Sequence, residues 1–477
     1  MAGNAVTQER RALAAFVGRL AVEPTHGPVG SRVTLSGKDL PPHTRLTLLW
    51  ETYDADWSIE QRDGVDWEKF YGVELWERAE TLGEATTDAN GAFRTTLAVP
   101  EDYGGMHDIY ALDPEGRRLN KLGFRVDVSA ALTPEQGPLG TPIQLTVYGL
   151  NVGHPFEGWY QLFYDNRYVG NITAVTTRGT AQIEIPATGE VGPHLIEIKG
   201  APYGQPFIQH GISPYSHVRQ PQLRFELTDG APVMPPPARE QLQPDRPAER
   251  PATEDGAPAV WTDCAEIPAR SALRFYGENL PANAELELRW LDVGGDRVTE
   301  VQPGTFGTGF SEIPRTLATV STDDDGQFEA TVVPESVQGG AHPVQAWHGD
   351  DCLAQTYVTI GRRPHPIQPK AGPVGTRIHA EMEGVGWTEH ENEVAACYDN
   401  AYVGYTCGAD LMGKIAPELY ATGAPGHHYI DFYPTFRNPP DTAEGDAKPI
   451  YFRRPILTWR DHPHGFHVRH VFTVEEE

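Results

Sequence analysis

Apolar and polar residues alternate with a period of two through much of the chain. Ile143, Leu145 and Val147 alternate with polar neighbours, and the apolar residues of 93–99 and 286–290 repeat the pattern. A period of two places every second side chain on the same face of a strand. The pattern therefore predicts many short strands, each of which buries one face.

Turn signals separate these segments. The stretches DANG at 88–91 and DDDG at 323–326 each precede a phenylalanine. Asn, Asp and Gly accept positive φ, so both stretches predict tight hairpins. The GPVG stretch at 27–30 predicts a bend into a strand, because Pro fixes φ and Gly relaxes it. The aspartates at 323–325 are adjacent rather than alternating, so a turn is expected there instead of a calcium loop.

One helix is expected, at the N-terminus. Leu13, Phe16, Val17 and Leu20 fall at i, i+3, i+4 and i+7, which is one face of a helix over residues 1–20. Two roles stay open for this helix. It caps the first domain, or it docks to another subunit.

The chain repeats itself at a spacing of 234 or 235 residues. Residues 164–170 read YDNRYVG, and residues 398–404 read YDNAYVG. The surroundings match in register, since GPLGTPIQLTV begins at Gly137 and GPVGTRIHAEM begins at Gly372. The simplest interpretation of YDN is a hairpin turn at Asp-Asn, flanked by Tyr164 and Tyr168 or by Tyr398 and Tyr402. The alternative is a binding surface that uses the paired tyrosines.

A second pair of matching stretches lies upstream. LSGKDLPPHTRLTLLW at 35–50 corresponds to FYGENLPANAELELRW at 275–290, so the modules follow in the order A, B, A′, B′. A Pro-rich, charged segment between the halves predicts a semi-extended linker with little reason to pack. The predicted boundaries are an N-terminal helix 1–20, A 21–128 with an insertion 51–80, B 129–228, a linker 229–258, A′ 259–362 and B′ 363–477.

Short strands, regular turns and about 100 residues per module predict an all-β protein of four tandem sandwiches. The stretch GPVGSRVTLSGKDLPPHTRLTLLW, followed by TTDANGAFRTTLAVPEDYGG, resembles the tandem Ig-like, IPT/TIG-like modules of prokaryotic surface and secreted proteins. A and A′ match this pattern well, although A′ lacks the Gly-Pro entry; B and B′ match it loosely. The resemblance implies Ig-like sandwiches, which serve adhesion, spacing, sugar binding and assembly alike.

Composition narrows the class of protein. The chain has 477 residues, 49 Gly and 42 Pro, and the excess of Gly and Pro fits many turns. Its formal charge of −28 would repel nucleic acid, so no nucleic-acid partner is expected. No apolar run reaches the roughly 18–20 residues of a membrane helix. The N-terminal stretch lacks an apolar core long enough for a secretion signal.

The four cysteines divide into two candidate pairs. Cys397 and Cys407 bracket the second YDN stretch, and Cys264 and Cys352 lie near the two ends of A′. Hairpin and edge cysteines of this kind predict two disulfides. An even number of paired cysteines favours an extracellular or cell-surface setting.

Candidate chemistry is sparse. The chain has no G-x-S-x-G, H-E-x-x-H, P-loop or dinucleotide-binding fingerprint, so no enzyme activity, catalytic residue or cofactor is expected. His462, His464 and His467 form the best candidate metal cluster, with exposed histidines near a chain end as the alternative. His194 and His428 occupy matching places and are expected to be structural residues at a sheet edge.

The two halves differ most after Trp50. The insertion 51–80 carries aromatic residues among many acids, and the corresponding stretch of A′ contains no Trp. Aromatic side chains anchor protein interfaces and stack on sugars, so the insertion predicts a partner-binding patch. Helical spacing within 67–75 also allows part of it to pack on the sheet. The candidate partner-binding residues are Trp57, Trp67, Phe70, Tyr71 and Trp76.

Two functions from different classes compete. The favoured one is a non-catalytic surface or secreted protein that binds a protein partner or assembles with itself through the insertions in A and in B′, at 433–455. The alternative is a sugar- or metal-binding accessory subunit of an extracytoplasmic enzyme or particle assembly.

Overall fold

The computed structural model describes residues 16–60, 69–152, 160–201, 205–209, 212, 220–242, 246–247, 256–299, 306–335, 338–387, 391–408, 413–436 and 453–476. Within these ranges, the side chains of 58–60, 69–72, 246–247, 293–299, 306–312 and 436 lie outside the description. The described residues group into two compact units. One holds those of 1–58, 71–137 and 142–229, which is most of A and B, and the other holds those of 59–70, 138–141 and 230–477, which include A′ and B′.

Sandwich A packs two sheets, with strand orders β1-β3-β6 and β2-β8-β7-β4-β5. The short β2 runs parallel to β8, and the pairs β1–β3, β3–β6, β4–β7 and β7–β8 are antiparallel. Trp50, Phe124 and Leu35 fill the core between the sheets. The strands are β1 (Arg19–Glu23), β2 (His26–Pro28), β3 (Arg32–Lys38), β4 (Arg45–Glu60), β5 (Lys69–Thr86), β6 (Phe93–Ala98), β7 (Gly105–Leu112) and β8 (Arg118–Asp127).

Sandwich B repeats this arrangement, with orders β14-β11-β9 and β10-β16-β15-β12-β13. Its β10 again runs parallel to the last strand, β16. The strands are β9 (Ser129–Thr133), β10 (Gln136–Gly137), β11 (Pro142–Tyr148), β12 (Tyr160–Tyr164), β13 (Arg167–Ile172), β14 (Ala181–Pro186), β15 (Gly192–Gly200) and β16 (Gln222–Leu227).

Sandwich A′ has the orders β18-β20-β23 and β17-β19-β25-β24-β21-β22. Trp290, Phe275 and Leu288 fill its core. The strands are β17 (Arg246–Pro247), β18 (Ala259–Thr262), β19 (Cys264–Pro268), β20 (Leu273–Glu278), β21 (Glu285–Thr299), β22 (Phe306–Ser321), β23 (Phe328–Val332), β24 (Gly340–His348) and β25 (Asp351–Gly361).

Sandwich B′ keeps the large sheet, β27-β35-β33-β30-β31 with β34 beside β33, and replaces the three-stranded sheet by the ribbons β26-β29 and β28-β32. A one-turn 3-10 helix, Trp459–Asp461, precedes the last strand. The strands are β26 (Arg363–Pro364), β27 (Ala371–Gly372), β28 (Arg377–His379), β29 (Met382–Glu383), β30 (Glu393–Tyr398), β31 (Ala401–Cys407), β32 (Glu418–Tyr420), β33 (Gly426–Phe436), β34 (Arg454–Pro455) and β35 (Val468–Val474).

The predicted fold class is confirmed: the protein is all-β, with four sandwich units that resemble tandem Ig-like domains. The parallel pairing of a short early strand with the last strand is common to all four. Among the described residues, no helix is both long and apolar enough to cross a membrane.

The YDN stretches are hairpin turns, as predicted. Tyr164 pairs with Arg167 across a two-residue turn, and Asp165 and Asn166 have φ of 48° and 63°. The second copy matches, with φ of 47° and 58° at its Asp and Asn. Positive φ at both central residues defines the type I′ turn, whose twist suits two antiparallel strands.

The turns at 88–91 and 323–326 do not form hairpins, contrary to the prediction. The first joins β5 to β6, which lie in different sheets, and the second joins β22 to β23 in the same way. Asp88 Oδ1 accepts hydrogen bonds from the backbone N–H of Asn90 (2.8 Å) and Ala92 (2.9 Å), and Asp323 makes the matching pair. The aspartate therefore closes a corner between sheets.

Two further expectations need correction. Residues 16–20 are not helical, because Leu20 already belongs to β1; residues 1–15 lie outside the description. The linker also packs in part. A short helix α1 (Ala238–Gln241) places Gln241 beside Arg469, and the Gln241 amide exchanges two hydrogen bonds of 2.6 and 2.7 Å with the Arg469 backbone.

Candidate functional site

The predicted aromatic patch lies on a long β-hairpin. The insertion extends β4 to 16 residues and β5 to 18, so the helical packing expected within 67–75 does not occur over Lys69–Leu75, which belong to β5. Trp76 is 51% exposed, as is its neighbour Leu75 at 52%, whereas Trp57 is half-buried. Phe70 and Tyr71 lie on β5 with side chains outside the description, and Trp67 lies outside the described residues.

Polar contacts stabilise the base of this hairpin. Arg78 Nη1 lies 2.9 Å from Asp54 Oδ1 across the two strands, and Arg45 donates two hydrogen bonds to Glu84. Hydrogen bonding and the charge of Asp54 raise the pKa of the exposed Arg78. Tyr53 stacks on Tyr103, and its burial raises its pKa to about 12. The hairpin therefore extends an ordered sheet.

The corresponding hairpin of A′ is almost as long. Its strands β21 and β22 span 15 and 16 residues and pair from Glu285–Ser321 to Thr299–Phe306, with one register shift between Leu288 and Arg289. The insertion 51–80 is therefore not an extra element of A. The difference between the two hairpins lies in their side chains. Each carries one core tryptophan, Trp50 or Trp290, but only the first carries further tryptophans, Trp57, Trp67 and Trp76.

The insertion of B′ begins and ends on buried structure. Its first residues belong to β33, where Tyr433 and Thr435 are buried, and β34 pairs back onto this strand at Thr435–Pro455. Arg453 Nε lies 2.8 Å from Glu393 Oε1 at the same place. Residues 437–452 lie outside the description.

The three histidines of the predicted metal cluster have separate partners. His462 is buried, its Nε2 lies 3.0 Å from Thr435 O, and its Nδ1 accepts the backbone N–H of His464. His464 faces Glu391 at 3.3 Å, and His467 contacts Asp431 at 2.7 Å. The residues do not lie on one strand face, because Trp459–Asp461 forms a turn before β35. The proposed metal role of this set stays a prediction.

Neither predicted disulfide is formed, and the strand register gives the reason. Cys397 lies opposite Tyr402, and Cys407 lies opposite Glu393, so the two cysteines are several residues apart along the hairpin. At about 3.3 Å per residue this separation far exceeds the reach of a disulfide. Burial raises the pKa of the Cys397 thiol well above its usual range.

Cys264 and Cys352 are separated in the same way. The parallel register of β19 and β25 pairs Glu266 with Thr359, and Cys352 lies at the far end of β25 opposite Trp347. Because neither disulfide is formed, the cysteines give no support to an extracytoplasmic setting.

One histidine recurs at the third position of the same strand in all four sandwiches. Each follows a glycine of positive φ by two residues, and each ring Nε2 lies 2.8–3.0 Å from the backbone carbonyl four residues earlier. Each ring stacks on an aromatic side chain of the neighbouring strand. The pairs are His107 with Trp50, His194 with Tyr164, His342 with Trp290 and His428 with Tyr398.

This arrangement corrects the sheet-edge prediction for His194 and His428. Their strands, β15 and β33, have hydrogen-bonded neighbours on both sides. His194 and His428 also contact the turn carboxylates Asp165 and Asp399 at 2.5 Å, which ties the YDN turn to the core. The sequence signal that finds all four is Gly-x-His, at residues 105–107, 192–194, 340–342 and 426–428.

Adjacent sandwiches are joined by the same backbone contact in both units. Gly104 N donates to Leu150 O at 3.1 Å between A and B, and Gly339 N donates to Val385 O at 2.9 Å between A′ and B′. A Cβ at Gly104 would lie 1.9 Å from Gly149 O, and one at Gly339 would lie 2.1 Å from Gly384 O. Only glycine permits this approach.

Side chains reinforce each junction differently. Between A and B, the buried Tyr103 donates its hydroxyl hydrogen bond to Val175 O at 2.6 Å, and Arg178 lies 3.6 Å from Asp102. Between A′ and B′, Arg270 donates hydrogen bonds of 2.9–3.1 Å to both carboxylate oxygens of Glu383. The guanidinium of the half-buried Arg362 lies over the Phe466 ring, and its desolvation lowers the pKa of Arg362 to about 10. Each pair of sandwiches is thus held as one body.

Comparisons with known proteins add little to these observations. No protein family model and no curated protein matches the chain. Among solved structures, the ICAM-5 D1–D4 ectodomain fragment is 10% identical, covers 92% of this chain and 100% of its own, and has a TM-score of 0.16. The Yersinia pseudotuberculosis adhesin InvE is 10% identical over 48% of this chain and 67% of its own, with a TM-score of 0.17.

A third similar structure contains the N-terminal eight Ig domains of Down Syndrome Cell Adhesion Molecule. It is 11% identical, covers 97% of this chain and 55% of its own, and has a TM-score of 0.16. Similarities this low carry no argument about function, and the fold assignment rests on the strand orders given above.

Proposed function

We propose that this chain is a non-catalytic structural or adhesion protein that presents aromatic hairpins from rigid two-sandwich bodies. The observation that carries the proposal is the duplicated junction, in which Gly104 and Gly339 make the same close backbone contact. Rigid spacing between modules benefits a protein that displays contact surfaces. The placement at a cell surface or outside the cell is a prediction from the resemblance to tandem Ig-like modules.

The exposed hairpin side chains support a contact role. Leu75 and Trp76 are both about half exposed on β5, and the strand lies at the edge of its sheet. Large aromatic and aliphatic side chains at such positions are typical interface anchors. The four recurring histidines, by contrast, direct their ring nitrogens to backbone carbonyls and carboxylates, and this arrangement suits a structural role rather than proton transfer.

An adhesion assay tests this proposal. Beads coated with the full chain would be mixed with uncoated beads, with one another and with intact bacterial cells, and adhesion would be compared with a Leu75→Ser/Trp76→Ser variant. Val191→Ser is the matched control, because Val191 is 65% exposed but lies in B.

We expect adhesion to fall several-fold in the hairpin variant and to stay unchanged in the control. Equal adhesion by the wild type and the hairpin variant contradicts the contact role of the hairpin. Coated beads that adhere no better than bare beads contradict the adhesion function as a whole.

A further inference from the structure

We propose that the start of B′ carries a divalent-metal site of the zinc class, formed by His365, Glu381 and Glu383. One ligand atom from each of these residues lies within 4.8 Å of the others. An imidazole and two carboxylates form a ligand set that zinc and related first-row metals accept. These residues are distinct from the C-terminal histidines considered above.

The backbone holds the three side chains on one face. Strands β26 and β29 form an antiparallel ribbon in which Arg363 pairs with Glu383, and His365 N donates to Glu381 O at 2.9 Å. Directly opposed residues, and residues two apart on one strand, point to the same side of a ribbon. Glu383 lies on β29, and His365 and Glu381 lie directly beside the two strands, so the strand pairing positions the ligands.

The geometry between two of the ligands already fits a metal. His365 Nε2 is buried and makes no hydrogen bond, although it lies 3.4 Å from Glu383 Oε2. Two ligand atoms bound to a tetrahedral zinc at about 2.0–2.1 Å each lie about 3.3 Å apart. A buried polar atom without a partner calls for an explanation, and a bound ion supplies one.

The surrounding charges orient the ligands and limit the affinity. Arg270 binds both oxygens of the buried Glu383, and this hydrogen bonding lowers the pKa of that carboxyl, which keeps it ionised. A partner that orients a ligating carboxylate is a regular part of metal sites. Lys414 Nζ lies 2.7 Å from Glu381 Oε1, but both side chains are 41% exposed, so the lysine can swing into water.

Among the described residues of the first half of the chain, no such set of metal-ligating side chains occurs. In the matching ribbon of B, Ala131 lies opposite Thr146, and Ser129 lies opposite Tyr148. In B′, the pair that corresponds to Ala131 and Thr146 is His365 and Glu381, and the pair that corresponds to Ser129 and Tyr148 is Arg363 and Glu383. Because B folds with other residues at these positions, the shared sandwich packing does not require the ligands.

Zinc titration of the full chain tests the proposal. Chelator-treated protein would be titrated with Zn²⁺ by calorimetry and with Co²⁺ by visible absorption, which reports tetrahedral coordination. The variants are His365→Ala and Glu381→Gln, both at partly exposed positions, together with Glu383→Gln. His379→Ala, an exposed histidine of the same sandwich, is the matched control.

We expect one bound Zn²⁺ per chain, at least about tenfold weaker binding in His365→Ala and Glu381→Gln, and unchanged binding in His379→Ala. Melting curves without metal establish that each variant folds. Absence of saturable Zn²⁺ binding by the wild type overturns the proposal. Binding that survives His365→Ala and Glu381→Gln, or that is lost instead in His464→Ala/His467→Ala, overturns it as well.

Discussion

The duplicated junction gives the sharpest test of the architecture. In Gly339→Ala the new methyl group would lie 2.1 Å from Gly384 O and 2.8 Å from Gly386 N, both backbone atoms that no side-chain rotation can move. Overpacking of this kind costs about 1–3 kcal/mol, and loss of the Gly339–Val385 hydrogen bond adds about 1 kcal/mol. The expected loss in the free energy of unfolding of the second unit is therefore about 2–4 kcal/mol.

Calorimetry measures this loss. For a unit of this size, we expect a fall in melting temperature of about 4–16 °C. Gly404→Ala is the matched control, because a methyl group there meets nothing within 4 Å. Gly104→Ala should produce a similar loss in the first unit. If the Gly339→Ala protein has the same melting temperature as the Gly404→Ala protein, the close junction and the rigid pairing inferred from it are wrong.

The remaining predictions concern the YDN corner and the cysteines. Tyr398→Phe removes the hydroxyl that donates to Thr422 O at 2.9 Å, so denaturant unfolding should show a loss of about 1 kcal/mol, and an unchanged midpoint would contradict the role of that bond. Burial lowers the pKa of His428, but its bonds to Asp399 and to a backbone carbonyl outweigh burial and raise it overall. The stability that protonated His428 adds is fully present below its unfolded pKa of about 6.5, and it is lost as pH rises through the higher folded pKa. Melting curves should therefore show that His428→Asn destabilises the protein more at pH 5.5 than at pH 8.5. A difference in melting temperature that does not depend on pH refutes this prediction. Because neither predicted disulfide is formed, excess reductant should leave the melting temperature unchanged, and a clear drop would show that a disulfide exists.

Some short-range signals predicted the local structure correctly, whereas the turns at 88–91 and 323–326 were wrongly predicted to be hairpins because the sequence does not state which sheet the next strand joins. The YDN turn depends on two adjacent residues that tolerate positive φ, and its flanking tyrosines lie within the same hairpin. Strand periodicity likewise depends only on neighbouring residues. Helical spacing in the hairpin of A was misleading, because Leu75 and its neighbours extend a strand that pairs with a partner earlier in the chain.

The candidate sites depended on pairings that the sequence does not state. His365 and Glu381 meet because β26 pairs with β29, and a shift of one residue would turn one of them to the other face. The same register separates Cys397 from Cys407, although both belong to one hairpin. The Gly-x-His repeat can be found in the sequence. Its structural role is seen only in the fold, where each histidine ring stacks on an aromatic side chain of another strand.

The amino-acid order by itself determined the all-β class, the duplication and the YDN hairpin turns, because these follow from periodicity, internal repetition and local φ preferences. The tertiary structure alone decided which strands are neighbours and in what register. Register depends on the balance of packing across the whole sandwich, and it sets whether two side chains such as His365 and Glu381, sixteen residues apart in sequence, touch or point away from each other. For this reason the junction glycines, the stacked histidines and the His365 cluster emerged only from the folded chain.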